Sequence, residues 1–135
     1  MREDENYIID LCDSVLSYKA CRQHKFDFLV GDKGDKLPVD AYYTQLQLVV
    51  EFHEKQHMES VPLFDNKMTV SGVPRYEQRR IYDQRRRDVL PMHGITIIEF
   101  TVNEFNSDRT KKIIRNLNKD KEIIKNKLHE FIQKQ

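Results

Sequence analysis

Long apolar runs are missing from this chain: none approaches the ~20 consecutive residues that a membrane-spanning helix needs. Cysteine is scarce, with only Cys12 and Cys21. Their spacing suits neither a zinc-ligand pair nor a disulfide framework, so reduced thiols in a cytoplasmic protein are expected. The opening residues, MREDENY, are acidic and lack the basic and apolar regions of a secretion signal, which supports the same expectation. There is no internal repeat. At 135 residues the expectation is one domain, 1–135, large enough for a modest core.

Charge is plentiful but unevenly spread. Of all residues 33% are charged, yet the net charge is only +1. Residues 1–74 sum to −5 and 75–87 to +4, and then 88–108 sum to −4 and 109–135 to +6. Such blocks suit a protein that turns basic surfaces toward a polyanion and gathers its acids elsewhere. A solvated helix face is the plain alternative for the last block.

The most informative stretch is residues 37–57, LPVDAYYTQLQLVVEFHEKQH. Alternation of side chains reads as a hairpin. Val39, Ala41 and Tyr43 share one face with Leu46, Leu48, Val50 and Phe52. Asp40 and Tyr42 share the other with Gln47, Val49, Glu51 and His53. A two-residue turn at Thr44-Gln45 would pair Tyr43 with Leu46, Ala41 with Leu48 and Val39 with Val50. A longer turn with an even shift would keep the faces. Asp40 and Glu51 then lie diagonally on one face, about 7–8 Å apart at the backbone. Two carboxylates so placed can share a hard divalent cation.

Elsewhere, residues 5–18 read as an amphipathic helix, with Ile8, Leu11, Cys12 and Val15 inward. Glu5 at its start is favoured by the helix dipole. Residues 26–30 read as a strand, so the first three strands form an antiparallel meander. Residues 55–73 have no clean period and read as a long loop with some local helix. Residues 75–90 predict a helix that turns Tyr82, Val89 and Leu90 inward. Residues 95–100, ITIIEF, predict a buried parallel strand. Ser107 or Asp108 would cap a final basic helix over about 108–133, with Ile114, Leu117, Ile124, Leu128 and Phe131 inward. That helix would pack on the sheet or, as a second choice, form the seam of a homodimer.

This order, with Pro38-Val39-Asp40 on one strand and Glu51-Phe52-His53 on the next, resembles the PD-(D/E)XK nuclease superfamily. The usual signature pairs an Asp with a following Glu-x-Lys, and here His53 stands where the Lys would. The segment EFHEKQH, from Glu51 to His57, is similar to the Glu-Tyr-Asp-Gly-x-Gln-His of very-short-patch-repair-like endonuclease domains. His53-Glu54 replaces their Asp-Gly. Asp83-Gln84-Arg85-Arg86 matches their Asp-x-x-Lys/Arg helix, and His93-Gly94 leads into the next strand. By this resemblance Glu5, Asp40, His57 and Asp83 fill the places of a helix acid followed by Asp, His and Asp, with Asp13 a rival to Glu5. The resemblance covers about residues 5–100. It implies a restriction-endonuclease-like α/β fold: helix, three-stranded antiparallel meander, helix, parallel strand and C-terminal helix.

The chemistry expected is metal-dependent hydrolysis of DNA, by an endonuclease or nickase serving repair, restriction or a mobile element. Mg²⁺ or Mn²⁺ held by Asp40 and Glu51 would neutralise phosphate charge and polarise a water. A neutral His can take or deliver the proton: His57 is the choice by resemblance and His53 by geometry. Asp83 could orient that His from behind. Arg75, Arg79, Arg80, Arg85, Arg86 and Arg87 could grip phosphates. The lost lysine motivates the alternative, a nuclease-derived module that binds nucleic acid without cutting it. No zinc finger or helix-turn-helix is present to read bases.

Overall fold

The computed structural model describes residues 3–54 and 74–132. His57, and the loop expected over 55–73, lie outside the described residues. The chain runs α1 (Glu3–Leu16), β1 (Cys21–Val30), β2 (Lys36–Tyr43), β3 (Leu48–His53), α2 (Arg75–Met92), β4 (Thr96–Thr101), α3 (Leu117–Lys127) and α4 (His129–Ile132). The four strands form one mixed sheet in the order β1-β2-β3-β4. The meander β1-β2-β3 is antiparallel, as its hairpin pattern predicts, and β4 joins β3 in parallel. The fold class is therefore mixed α/β.

Strand alternation divides the core between the two faces of this sheet. Ala41, Tyr43, Leu48, Val50 and Phe52 pack with Ile8, Ile9 and Cys12 of α1, with Ile124 of α3, with Phe131 of α4 and with Leu128 between those two helices. Tyr42 and Val49, on the opposite face, pack with Leu90 of α2 and with Phe26, Leu29 and Ile95. Helix α2 is tied to the end of β1 by polar contacts: the Tyr82 hydroxyl accepts from the Asp32 amide at 2.9 Å, and Arg85 donates to the Val30 carbonyl at 3.1 Å. No helix of the described residues is long and apolar enough to cross a membrane.

Several expectations are corrected. The hairpin turn holds four residues, 44–47, and the register moves by two, pairing Tyr43 with Leu48 and Ala41 with Val50. Gln47 takes φ +49 to close the turn, and its side chain donates to the Tyr42 hydroxyl at 3.0 Å. Because the shift is even, Ala41, Tyr43, Leu48 and Val50 keep a common face. Val39 does not follow them and joins the core beneath α2. Strand β1 begins at Cys21, five residues before the expected start. Strand β4 is half-buried: among the described residues it is an edge strand, paired with β3 alone.

The long C-terminal helix is also absent over its first turns. A short 3₁₀ turn covers Val102–Glu104, and an isolated bridge pairs Ser107 with Ile113. Asp108 caps a turn rather than a helix: its Oδ1 accepts from the Thr110 and Lys112 amides, at 2.8 and 3.1 Å. Lys111 adopts φ +66 there. The helix starts nine residues later than expected, with Asn116 as its cap accepting from the Lys119 amide. Ile114 and Leu117, expected inside, are 56% and 58% exposed, while Ile124, Leu128 and Phe131 are buried as expected.

Candidate functional site

Strands β2 and β3 pair as far as Ala41 and Val50. One step further, Asp40 stands opposite Glu51, and side chains replace the ladder. The Asp40 amide donates to Glu51 Oε2 at 2.6 Å, and the Phe52 amide donates to Asp40 Oδ2 at 2.7 Å. This exchange satisfies backbone groups that a parting pair of strands would leave bare. It also fixes two carboxylates side by side through backbone amides. Glu51 is only 5% exposed.

Burial is the first cause that pushes both carboxyls above their ordinary range. For Glu51 the adjacent Asp40 charge adds to it, against Arg86 and the Asp40 amide, and its pKa rises to about 8. For Asp40, burial outweighs the Phe52 amide and the charges of His53 and Arg86. Like charges brought together out of water resist joint ionisation. Burial and mutual repulsion thus favour a proton on the pair, and a cation would oppose it.

The remaining carboxylate oxygens have only long contacts. Asp40 Oδ1 lies 3.5 Å from Gln23 Nε2, which also donates to Glu5 Oε2 at 3.0 Å. Gln23 takes φ +52 in β1, opposite Asp40, and this conformation carries its amide to the junction. Glu5 thus joins the site through Gln23. Its rival Asp13 does not: it accepts from the Ala20 amide, Arg22 and the Tyr43 hydroxyl. Glu51 Oε1 lies 3.7 Å from Arg86 Nε.

Helix α2 brings Asp83 and Arg86 over the same face. Arg86 donates to the Pro38 carbonyl and to Asp83 Oδ1, both at 3.1 Å. Asp83 is buried. His53 follows Glu51 on this face, and its Nε2 meets Glu99 Oε1 at 2.7 Å. Burial would lower the His53 pKa. The Glu99 hydrogen bond and the charges of Asp83, Glu51 and Glu99 outweigh it, so the imidazole is held toward its protonated form. Although burial raises Glu99, the bonds from His53 and Arg87 bring it down to about 2.

Among the expected phosphate-gripping arginines, four are engaged with acids. Arg80 pairs with Glu77, Arg85 with Asp32, Arg86 with Asp83 and Glu51, and Arg87 with Glu99. Arg79 has a partner as well, and Arg75 is exposed at the start of α2.

Two residues of this cluster escaped sequence reasoning. Glu99 carried a signal, being the one acid in an otherwise apolar or neutral strand. Parallel pairing then sets it level with Glu51. Gln23 carried none, since its approach depends on a backbone conformation that its residue type does not announce.

Among the described residues, no group of three or more His, Cys, Asp or Glu side chains is placed to hold a metal ion. No family model, no curated protein and no solved structure matches this chain.

Proposed function

We propose that this chain is a metal-dependent endonuclease or nickase acting on DNA, of the PD-(D/E)XK kind and similar to very-short-patch-repair domains. One observation carries the reading: Asp40 and Glu51 are fixed side by side where two strands part, each with one oxygen on a backbone amide and the other only loosely engaged. Two carboxylates with water and substrate oxygens completing the shell are an ordinary holding for Mg²⁺ or Mn²⁺. Asp40 Oδ1 and Glu51 Oε1 would hold it. Bound there, the ion would polarise a water and neutralise phosphate charge.

The chain's own groups do the rest. His53, kept protonated by Glu99, is suited to deliver a proton to the leaving oxygen rather than to take one from water. It also supplies positive charge where the superfamily pattern has lysine. Gln23 orients Asp40 and ties it to Glu5. Arg86 positions Asp83 and stands near Glu51 as the ion's neighbour or its rival. The taking of a proton from water is left to His57 by resemblance.

The test is plasmid DNA incubated with purified protein and Mg²⁺ or Mn²⁺. Nicking that Asp40→Ala abolishes is expected. Absence of nicking with either metal, or equal nicking by the variant, overturns the catalytic reading. The contact between Arg86 and Glu51 favours a second reading, in which the guanidinium already serves as the counter-charge and the module binds nucleic acid without cutting. That reading expects DNA binding that is indifferent to metal, and no heat of Mn²⁺ binding in calorimetry.

A further inference from the structure

We infer that the segment 107–119, rather than the arginines of α2, makes the principal contacts to nucleic-acid phosphates. The inference takes its substrate class from the proposed function but does not need its catalysis.

The segment is basic and ordered. Ser107 pairs with Ile113, which is buried, and Asp108 draws in the backbone at Thr110 and Lys112 together with the Thr110 hydroxyl. This fixes a short loop with Arg109, Lys111 and Lys112 at its tip, all exposed. Lys119 is exposed just beyond. Among the described residues, the side chains of Arg109, Lys111 and Lys119 make no ion pair, and the charge near Lys112 is that of Asp108. The contrast with α2 is direct, because there Arg80, Arg85, Arg86 and Arg87 are already paired with acids. A cation with no protein partner is the one available to a phosphate. A loop ordered beforehand loses less freedom on binding.

Position supports the same conclusion. The Ile113 amide donates to Asp4 Oδ2 at 2.9 Å, and Arg115 donates to the Glu3 carbonyl while lying over the Tyr7 ring. The segment is thus seated on the first turn of α1. The next residue of that turn, Glu5, is bonded to Gln23, which reaches Asp40. One helix end therefore connects the basic loop to the carboxylate pair through Glu5 and Gln23. Exposed Ile114 and Leu117 flank the cations and offer apolar contact to sugars or bases.

The experiment compares the full chain with the triple variant Arg109→Ala/Lys111→Ala/Lys112→Ala, and with Arg80→Ala/Arg85→Ala as a control. All carry Asp40→Asn and are held in EDTA, so that no cutting intervenes. Binding to a short labelled DNA duplex is followed by anisotropy across a salt series, and circular dichroism checks that each variant is folded. The slope of log K against log salt should flatten by about 1 for each phosphate no longer neutralised, so by about 3 in the triple variant. The control should keep the parent slope. An unchanged slope in the triple variant, or equal flattening in the control, overturns the inference. So does a parent chain that binds vesicles of anionic phospholipid but not DNA. Salt-sensitive binding by the loop in a protein that never nicks plasmid would sink the catalytic reading and leave this one standing.

Discussion

His53 and Glu99 show how one side chain sets the use of another. An imidazole in water is a base near neutrality. Here a carboxylate at 2.7 Å, itself held down to about 2, keeps the proton on the ring. Glu99→Gln would remove that charge while keeping the shape. The His53 ring should then titrate at lower pH, followed through its imidazole proton shifts by NMR. Stability should fall by about 1–3 kcal/mol, the scale of removing a charged hydrogen bond from a half-buried site. An unchanged His53 titration would mean that the pairing with Glu99 does not persist in solution. If His53 delivers a proton in the reaction, the alkaline limb of the activity profile should move down with it.

At the scale of elements, the start of the last helix offers a clean discrimination between two caps. Asp108 has the residue type of a helix cap but accepts from a turn, whereas Asn116 accepts from the Lys119 amide at the true helix start. Asn116→Ala should therefore cost about 0.5–2 kcal/mol in urea unfolding. Asp108→Ala should leave the helical signal at 222 nm unchanged and loosen only the basic loop. Equal loss of helicity in both would contradict the boundary. The same pair of residues shows what the sequence could and could not disclose. The meander, the parallel pairing of the last strand and the faces of the hairpin from Ala41 to Val50 were legible, though not that of Val39, because period-two burial is written directly in residue order. The pattern also put Asp40 near Glu51, but as a diagonal neighbour, and the shift by two sets the two directly opposite. The break before α3 was not legible. A cap forms wherever a side chain finds a bare amide, and both Asp108 and Asn116 are eligible by type. Likewise the junction at Asp40 depends on Gln23 at positive φ, an energy that residue type discloses only for glycine.

At the scale of the molecule, the sheet joins α1, α3 and α4 on one face to α2 on the other, and the carboxylate pair lies where both halves contribute. Its protonation is therefore coupled to folding as a whole. Glu51 has an ordinary pKa of 4.5 when unfolded and one raised to about 8 when folded. Between those values the native state binds more protons than the unfolded state, so stability falls as pH rises. Asp40 and His53, also raised, act with the same sign, each losing its contribution as pH climbs through its folded value. Glu99, lowered, acts oppositely, but only between about 2 and 4.5, below this window. In EDTA the thermal midpoint should thus decline from pH 5 to pH 8. A cation bound to Asp40 and Glu51 removes the cause, since it stabilises the ionised pair. Mn²⁺ at a hundredfold excess over its dissociation constant would add about 2.7 kcal/mol at pH 8. It would add less at pH 5, where protons compete for the same oxygens. Glu51→Gln should flatten the decline, be at least as stable as the parent chain at pH 8 in EDTA, and gain little from Mn²⁺. A parent chain whose midpoint neither declines with pH nor responds to metal would show that Arg86 already neutralises the two carboxylates, and would overturn the metal site.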